Sequence, residues 1–243
     1  MSALVSAELL KLRTTRTAFG FLMAIVLLTL AVNAANFATS DFIDEEDLES
    51  ALAGTGVAAA FLMILGIVGT TGEYRHGTIT STLLGTPERN RVVVAKILAY
   101  LIAGAVLGAA ALVVTLAVGI PWLSARDAPL ELLGAGDYLE LVARGIALAA
   151  LSGALGVGIG AIVRNQVAAV VGTLVYLFVL EPVVGVISEE VVAFTVGGAQ
   201  TALGSGDLGD EMLDPVPAAI VVTGWVVLLG WLGALLEERR DVT

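Results

Sequence analysis

Residues Ile97–Ala125 read ILAYLIAGAVLGAAALVVTLAVGIPWLSA, with no charge among them. A helix rises about 1.5 Å per residue, so roughly 20 apolar residues cross about 30 Å of hydrocarbon. This stretch is long enough. It is continuously apolar, whereas a strand of a membrane barrel alternates over about ten residues, so it reads as a helix. The same pattern recurs outward along the chain. Thr17–Ser40, Ser50–Gly72, Gly145–Val163 and Pro215–Leu236 also lack charge, and Asn165–Ser188 is broken only by Glu181. Six spans are expected, near 17–38, 51–71, 97–119, 143–163, 166–187 and 216–236. The first is read as a retained span, not a cleaved leader, because it is long for a signal peptide.

The composition agrees. The chain has 243 residues, 58% hydrophobic and 14% charged. A soluble domain is about half apolar and a quarter charged, so lipid must take up the excess. The net charge of −11 excludes a nucleic-acid binder, which needs a basic face. With no cysteine, disulfide frameworks and thiolate metal sites are excluded.

The charges are segregated. Lys11, Arg13, Arg16, Arg75, Arg89, Arg91, Lys96, Arg164, Arg239 and Arg240 fall on one side of the spans, and only Arg126 and Arg144 on the other. The first side is expected to be cytoplasmic and to hold both termini. Sixteen acids fall on the outer side, among them the cluster Asp41–Glu49, and six on the inner. The acidic total therefore conceals a positive-inside chain.

Three further segments complete the expected fold. Residues 1–16 suit a short interfacial helix, with Val5, Leu9 and Leu12 on an apolar face, Glu8 and Lys11 on another, and Arg13 and Arg16 at the headgroups. Residues 72–96 form an inner loop. Residues 188–214 form an outer loop whose part 191–206 reads as a re-entrant or interfacial segment, with a plain loop as the alternative. The expected class is thus an all-α membrane protein in one domain, 1–243.

The inner loop carries the densest polar pattern on that side. It reads Gly72-Glu73-Tyr74-Arg75-His76-Gly77-Thr78-Ile79, then Leu83-Leu84, Pro87, Arg89, Arg91 and Lys96. Thr78, Thr80 and Thr82 permit more than one backbone reading: Thr78 suits the cap of a short helix through Leu84 that Gly85 and Pro87 would stop, and an ordinary connector with positive-inside charges is the alternative. This pattern, with Glu8-Leu9-Leu10-Lys11-Leu12-Arg13 at the start, resembles the signature of ABC-2 type transporter permeases. The resemblance implies that the loop is a coupling helix docking on a cytoplasmic ABC ATPase. Glu73, Arg75, Gly77 and Thr78 carry over from the family pattern, with Leu83, Leu84, Pro87, Arg89 and Arg91 as the docking stretch. No Gly-x-x-x-x-Gly-Lys-Ser/Thr occurs, so ATP and Mg are expected in a separate chain, with no cofactor in this one. A second permease, identical or related, and membrane lipid are the other expected partners. Export of an amphiphilic compound (drug, antibiotic, peptide or lipid) across a prokaryotic cell membrane is the expected role. A subunit for cell-surface assembly or protein maturation is the alternative.

His76 is the single histidine and has no ligand partners, so it reads as a polar loop residue. It lies on the wrong side to serve Ser152 in an intramembrane hydrolase. A proton-coupled transporter would want acids near the midplane, whereas Glu181 falls near the outer edge. Arg144 begins the fourth span at that same edge, so an Arg144–Glu181 pair is a hypothesis, with two snorkelling side chains as the alternative and Pro182 kinking or ending the helix. Gly104-x-x-x-Gly108 and Gly156-x-x-x-Gly160 are expected to pack helices within one subunit.

Overall fold

The structure, a computed structural model, describes residues 1–39, 45–53, 55–78, 88–205 and 212–239. These residues form helices α1 (Ser2–Thr14), α2 (Arg16–Thr39), α3 (Glu45–Ala53), α4 (Thr55–Arg75), α5 (Arg89–Ser124) and α6 (Ala135–Val163). There follow α7 (Gln166–Val175), a π-helical turn Tyr176–Leu180, α8 (Glu181–Ile187), α9 (Glu189–Val192), α10 (Val196–Ser205) and α11 (Pro215–Arg239). No strand occurs among the described residues. Six stretches are long and apolar enough to cross a membrane: Phe19–Thr39, Asp47–Arg75, Asn90–Ser124, Ala135–Val163, Gln166–Ile187 and Pro215–Glu237. All six expected spans are there.

Several helices are longer than the uncharged runs. α5 has 36 residues, starts at Arg89 and passes through Lys96. At about 1.5 Å per residue it is some 54 Å long, well beyond the hydrocarbon thickness. Charges mark where lipid ends, and the backbone has no reason to unwind there. α6 begins at Ala135, where the Gly134 N–H donates to the Asp137 carboxylate at 2.7 Å.

α6 is the axis of the bundle. From Ser152 to Ala161 only Ile159 escapes full burial. Between helices in lipid the attraction is packing rather than water exclusion, so small residues that admit a neighbouring backbone decide the contacts. A Cβ on Gly156 would stand 2.0 Å from the Met63 carbonyl oxygen of α4, and one on Gly104 of α5 2.5 Å from that of Ala149. On the other side of α6, a Cβ on Gly158 would meet Leu229 of α11 at 2.8 Å. Gly108 meets Ala149 and Gly160 meets Thr70, so both expected glycine pairs pack helices of one chain. Ser152 donates to the Leu148 carbonyl at 2.6 Å and accepts from Gln200 at 2.6 Å, which ties α6 to α10.

Two local signals shape the fifth span. Arg164 takes a left-handed φ of 56° after α6, and the Asn165 side chain accepts from the Ala168 N–H at 3.0 Å, so the chain turns straight into α7. Pro182 does not end the helix. The π-helical turn just before it absorbs the missing N–H and the crowding of its ring. The segment 191–206 is no plain loop in its second half. α10 buries Val196, Ala199, Ala202 and Leu203, and packs on α11 and α6. Trp225 of α11 fastens the approach to it through its Nε1–H on the Phe194 carbonyl at 3.0 Å.

Candidate functional site at the Glu73–Arg75 helix end

The last turn of α4 is Glu73-Tyr74-Arg75, and successive helical residues point about 100° apart. The three side chains therefore leave in different directions. Glu73 Oε1 accepts from Lys11 of α1 at 2.8 Å and from Lys96 of α5 at 3.0 Å. Glu8 of α1 closes the cluster, with Oε2 on Lys96 at 2.5 Å and Oε1 on Lys11 at 2.6 Å. Two lysines and two glutamates balance in charge, and three of the four are buried. Burial alone would raise the Glu8 carboxyl, but Lys96 and Lys11 outweigh it and hold the group below the ordinary carboxylate value. Partial burial would lower Lys11, but its bonds to Glu73 and Glu8 leave it raised.

Tyr74 faces the opposite flank. Its hydroxyl donates to Glu237 of α11, a residue only 1% exposed. The same carboxylate oxygen accepts from Arg164 at 2.6 Å, and the guanidinium lies 5.0 Å from the Tyr74 ring centroid. Arg164 also donates to the Leu236 carbonyl at 3.3 Å. Arg75 reaches Gln166 of α7 at 3.3 Å. Three consecutive residues thus bind one helix end to α1, α5, α7, α11 and the α6–α7 turn. Because Glu8 and Glu237 meet neighbouring residues of α4, both ends of the described chain lie at the same end of the bundle. Gly77 then turns the backbone away with φ 68°, a conformation that suits glycine.

A model of the ABC-2 family transporter proteins matches residues 4–180, well over half of the chain. The chain belongs to that family. It is the membrane-spanning permease subunit of an ABC transporter, a multi-pass transport component that is not itself catalytic, and the family implies association with an ABC ATPase subunit. A comparison with curated proteins returns no match. The matched region covers every partner in the permease's ion clusters except Leu236 and Glu237.

The expected site residues of the permease distribute unevenly. Glu73 faces into the bundle, Arg75, Gly77 and Thr78 are exposed, and Leu83, Leu84 and Pro87 lie outside the described residues, as does the expected short helix. Arg89 opens α5, and Arg91 pairs with Glu88 at 2.6 Å on the surface. In α1, Val5, Leu9 and Leu12 form a half-buried face, Arg13 is exposed and Arg16 opens α2.

Two expectations are corrected. Glu8 does not lie on a face of α1 apart from its apolar residues. It sits inward beside Val5, Leu9 and Leu12, since a buried lysine on α5 gives it a partner that solvent-facing placement would forgo. Arg144 and Glu181 do not pair with each other in the permease. Arg144 binds Glu49 of α3 at 2.7 Å and Glu140 one turn back at 3.3 Å. Glu181 instead accepts the Gly197 N–H at 2.6 Å and the Gly198 N–H at 3.3 Å, at the start of α10. Backbone donors of a helix N-terminus satisfy one oxygen of the carboxylate, a solution that counting side-chain charges does not consider.

Sequence patterning does not reveal Glu8, Lys96, Arg164 and Glu237 as members of one cluster system. A signal existed for one of them. Lys96 stands directly against the uncharged run Ile97–Ala125, and a lysine there needs either a partner or an aqueous edge.

Proposed function

We propose that the permease exports an amphiphilic compound, driven by ATP bound and hydrolysed with Mg in a separate cytoplasmic ABC ATPase. The single observation that carries this reading is the Glu73-Tyr74-Arg75 helix end. It joins five elements within one turn of Gly77, where the chain leaves for the segment 79–87. A push on that segment reaches α1, α5, α7 and α11 together, as a rigid-body transition needs. Leu83, Leu84, Pro87, Arg89 and Arg91 are the docking stretch in this reading, and Glu73 and Arg75 transmit the force behind it. Ten inner basic residues orient that end to the cytoplasm of a prokaryotic cell, with the protein in its cell membrane.

A second permease completes the path. Only 22% of the apolar stretch of Phe19–Thr39 and 11% of that of Gln166–Ile187 is buried, against 61% for Ala135–Val163. The two open faces suit lipid on one side and a second copy or a related chain on the other.

The test separates docking from transmission. The tagged full chain is expected to co-purify with an ABC ATPase, and the double change Leu83→Asp, Leu84→Asp to abolish this. Glu73→Gln should retain the ATPase and lose ATP-dependent transport. Absence of any co-purifying ATPase, or its full retention by the double variant, would overturn the docking assignment.

A further inference from the structure

A cavity of about 610 Å³ lies between α2, α4, the π-turn with α8, and α10. That is the size of a site for a drug-sized molecule. Its walls are mainly apolar, and its exposed lining residues Val32 and Phe178 put the mouth on the side of the bundle, between α2 and the fifth span. The polar groups that line it are Glu181, Asn33, Asn36, Gln200, Thr201 and Ser205.

The three buried ones share one chemistry. Asn33 is 1% exposed, and its amide N–H₂ donates to Thr115 at 2.9 Å. Its Oδ1 is buried without a partner among the described residues. Gln200 turns its amide N–H₂ outward from the cavity to Ser152 at 2.6 Å, which leaves its carbonyl oxygen for the cavity side. Glu181, 6% exposed, takes the Gly197 and Gly198 N–H groups and the Tyr176 hydroxyl all on Oε1. Its Oε2 has no hydrogen-bond partner among the described residues. Each side chain thus keeps one oxygen without a partner among the described residues, and those of Gln200 and Glu181 are open to the cavity whereas Asn33 Oδ1 is closed off from it. A buried acceptor left unmatched carries a desolvation penalty that a ligand N–H removes. The carboxylate adds a negative charge, and the sixteen outer acids favour cations at that side of the bundle.

We infer that this cavity binds a cationic amphiphile, its ammonium or amidinium N–H groups on Glu181 Oε2 and the Gln200 oxygen and its apolar tail along Met63, Leu177 and Phe178. A neutral head can donate a hydrogen bond but forgoes the attraction of the Glu181 charge, and an anionic head is repelled by it. That the occupant is transported rests on the export reading above, whereas the binding itself does not. The ammonium could be that of a soluble amphiphile or of an aminophospholipid.

The probe is radiolabelled dodecylamine, measured by equilibrium binding to the full chain in phosphatidylcholine nanodiscs, without ATP or ATPase. Saturable binding is expected, displaced by unlabelled dodecylamine but not by dodecanol or dodecanoate. Glu181→Gln should weaken it at least about tenfold. Gly56→Trp tests the space instead of the charge. Gly56 lines the cavity, and a Cβ there meets nothing within 4 Å, so the indole fills the site without disturbing the Glu181 contacts. It too should abolish binding. Displacement by added phosphatidylethanolamine would support the site and name the lipid as its source of ammonium. Equal binding by dodecanol, or wild-type binding in either folded variant, would overturn the inference. Failure here leaves ATPase docking untouched, and failure of docking leaves this binding intact.

Discussion

Glu8 shows how a residue of unremarkable appearance becomes structural. It sits mid-helix in α1 and would be solvated on an isolated helix, yet Lys96 of α5 and Lys11 bury it against Glu73. Its depressed carboxyl fixes the sign of the pH effect. A group whose folded pKa lies below its ordinary 4.5 stabilises fully above that value, and the contribution is lost as pH falls through the folded pKa. Lys11 is raised above 10.5, so its contribution is present below that value and lost above. Its side chain is 45% exposed, so solvent screens its share. α1 should thus stay docked from about pH 5 to 10 and release in acid. Lys96→Met leaves two glutamates with one half-exposed lysine, a loss of about 3 kcal/mol for a buried cluster missing a partner. Amide exchange of α1 in the reconstituted protein checks both. Protection should be high at neutral pH in the wild type, lower below pH 4.5, and already low at neutral pH in Lys96→Met. Unchanged protection in that variant would mean that Val5, Leu9 and Leu12 hold α1 alone.

At the scale of elements, the spans were legible and their ends were not. Uncharged runs located all six, because lipid forbids unpaired charge over about 20 residues. The ends of α5 and α6 lie beyond those runs, since Lys96 and Asp137 are accommodated inside helices by a cluster and a cap. Pro182 ends no helix, because a π-turn just before it accommodates its ring. Glycine spacing was more faithful, since nothing but close approach required it. Gly156 is the sharpest case, with a Met63 carbonyl 2.0 Å from where a Cβ would stand. Backbone cannot retreat as a flexible side chain can. Gly156→Val should therefore part α4 from α6 and destabilise by about 3 kcal/mol or more. Gly172→Val, whose Cβ meets nothing within 4 Å, is the control. Thermal melting in detergent should fall by several degrees for the first and hardly move for the second.

For the whole molecule, charge sign and contact geometry make independent statements that meet at one end of the bundle. The Glu73 and Glu237 clusters bring the first and last described helices to the same end, whatever its orientation. The orientation comes from charge alone. Glu73 and Arg75 were readable as candidates because the family pattern fell on them. The remainder was not, since Glu8, Arg164 and Glu237 are distant in sequence and only the packing of α1 on α5 and of α11 on α5 and α6 brings them to the end of α4. The absence of cysteine makes the orientation directly testable. Exposed positions are available at both ends: Ala7 and His76 beside the clusters, Ala125 at the far end of α5. In intact cells a membrane-impermeant maleimide should label Ala125→Cys and spare Ala7→Cys and His76→Cys until the cells are permeabilised. The inverse pattern would put the Glu73 helix end outside, away from any ATPase. It would also turn the acidic loops inward, against ten basic residues that favour the cytoplasm. Labelling at both ends without permeabilisation would mean mixed insertion, with the first-span arginines too weak to fix it.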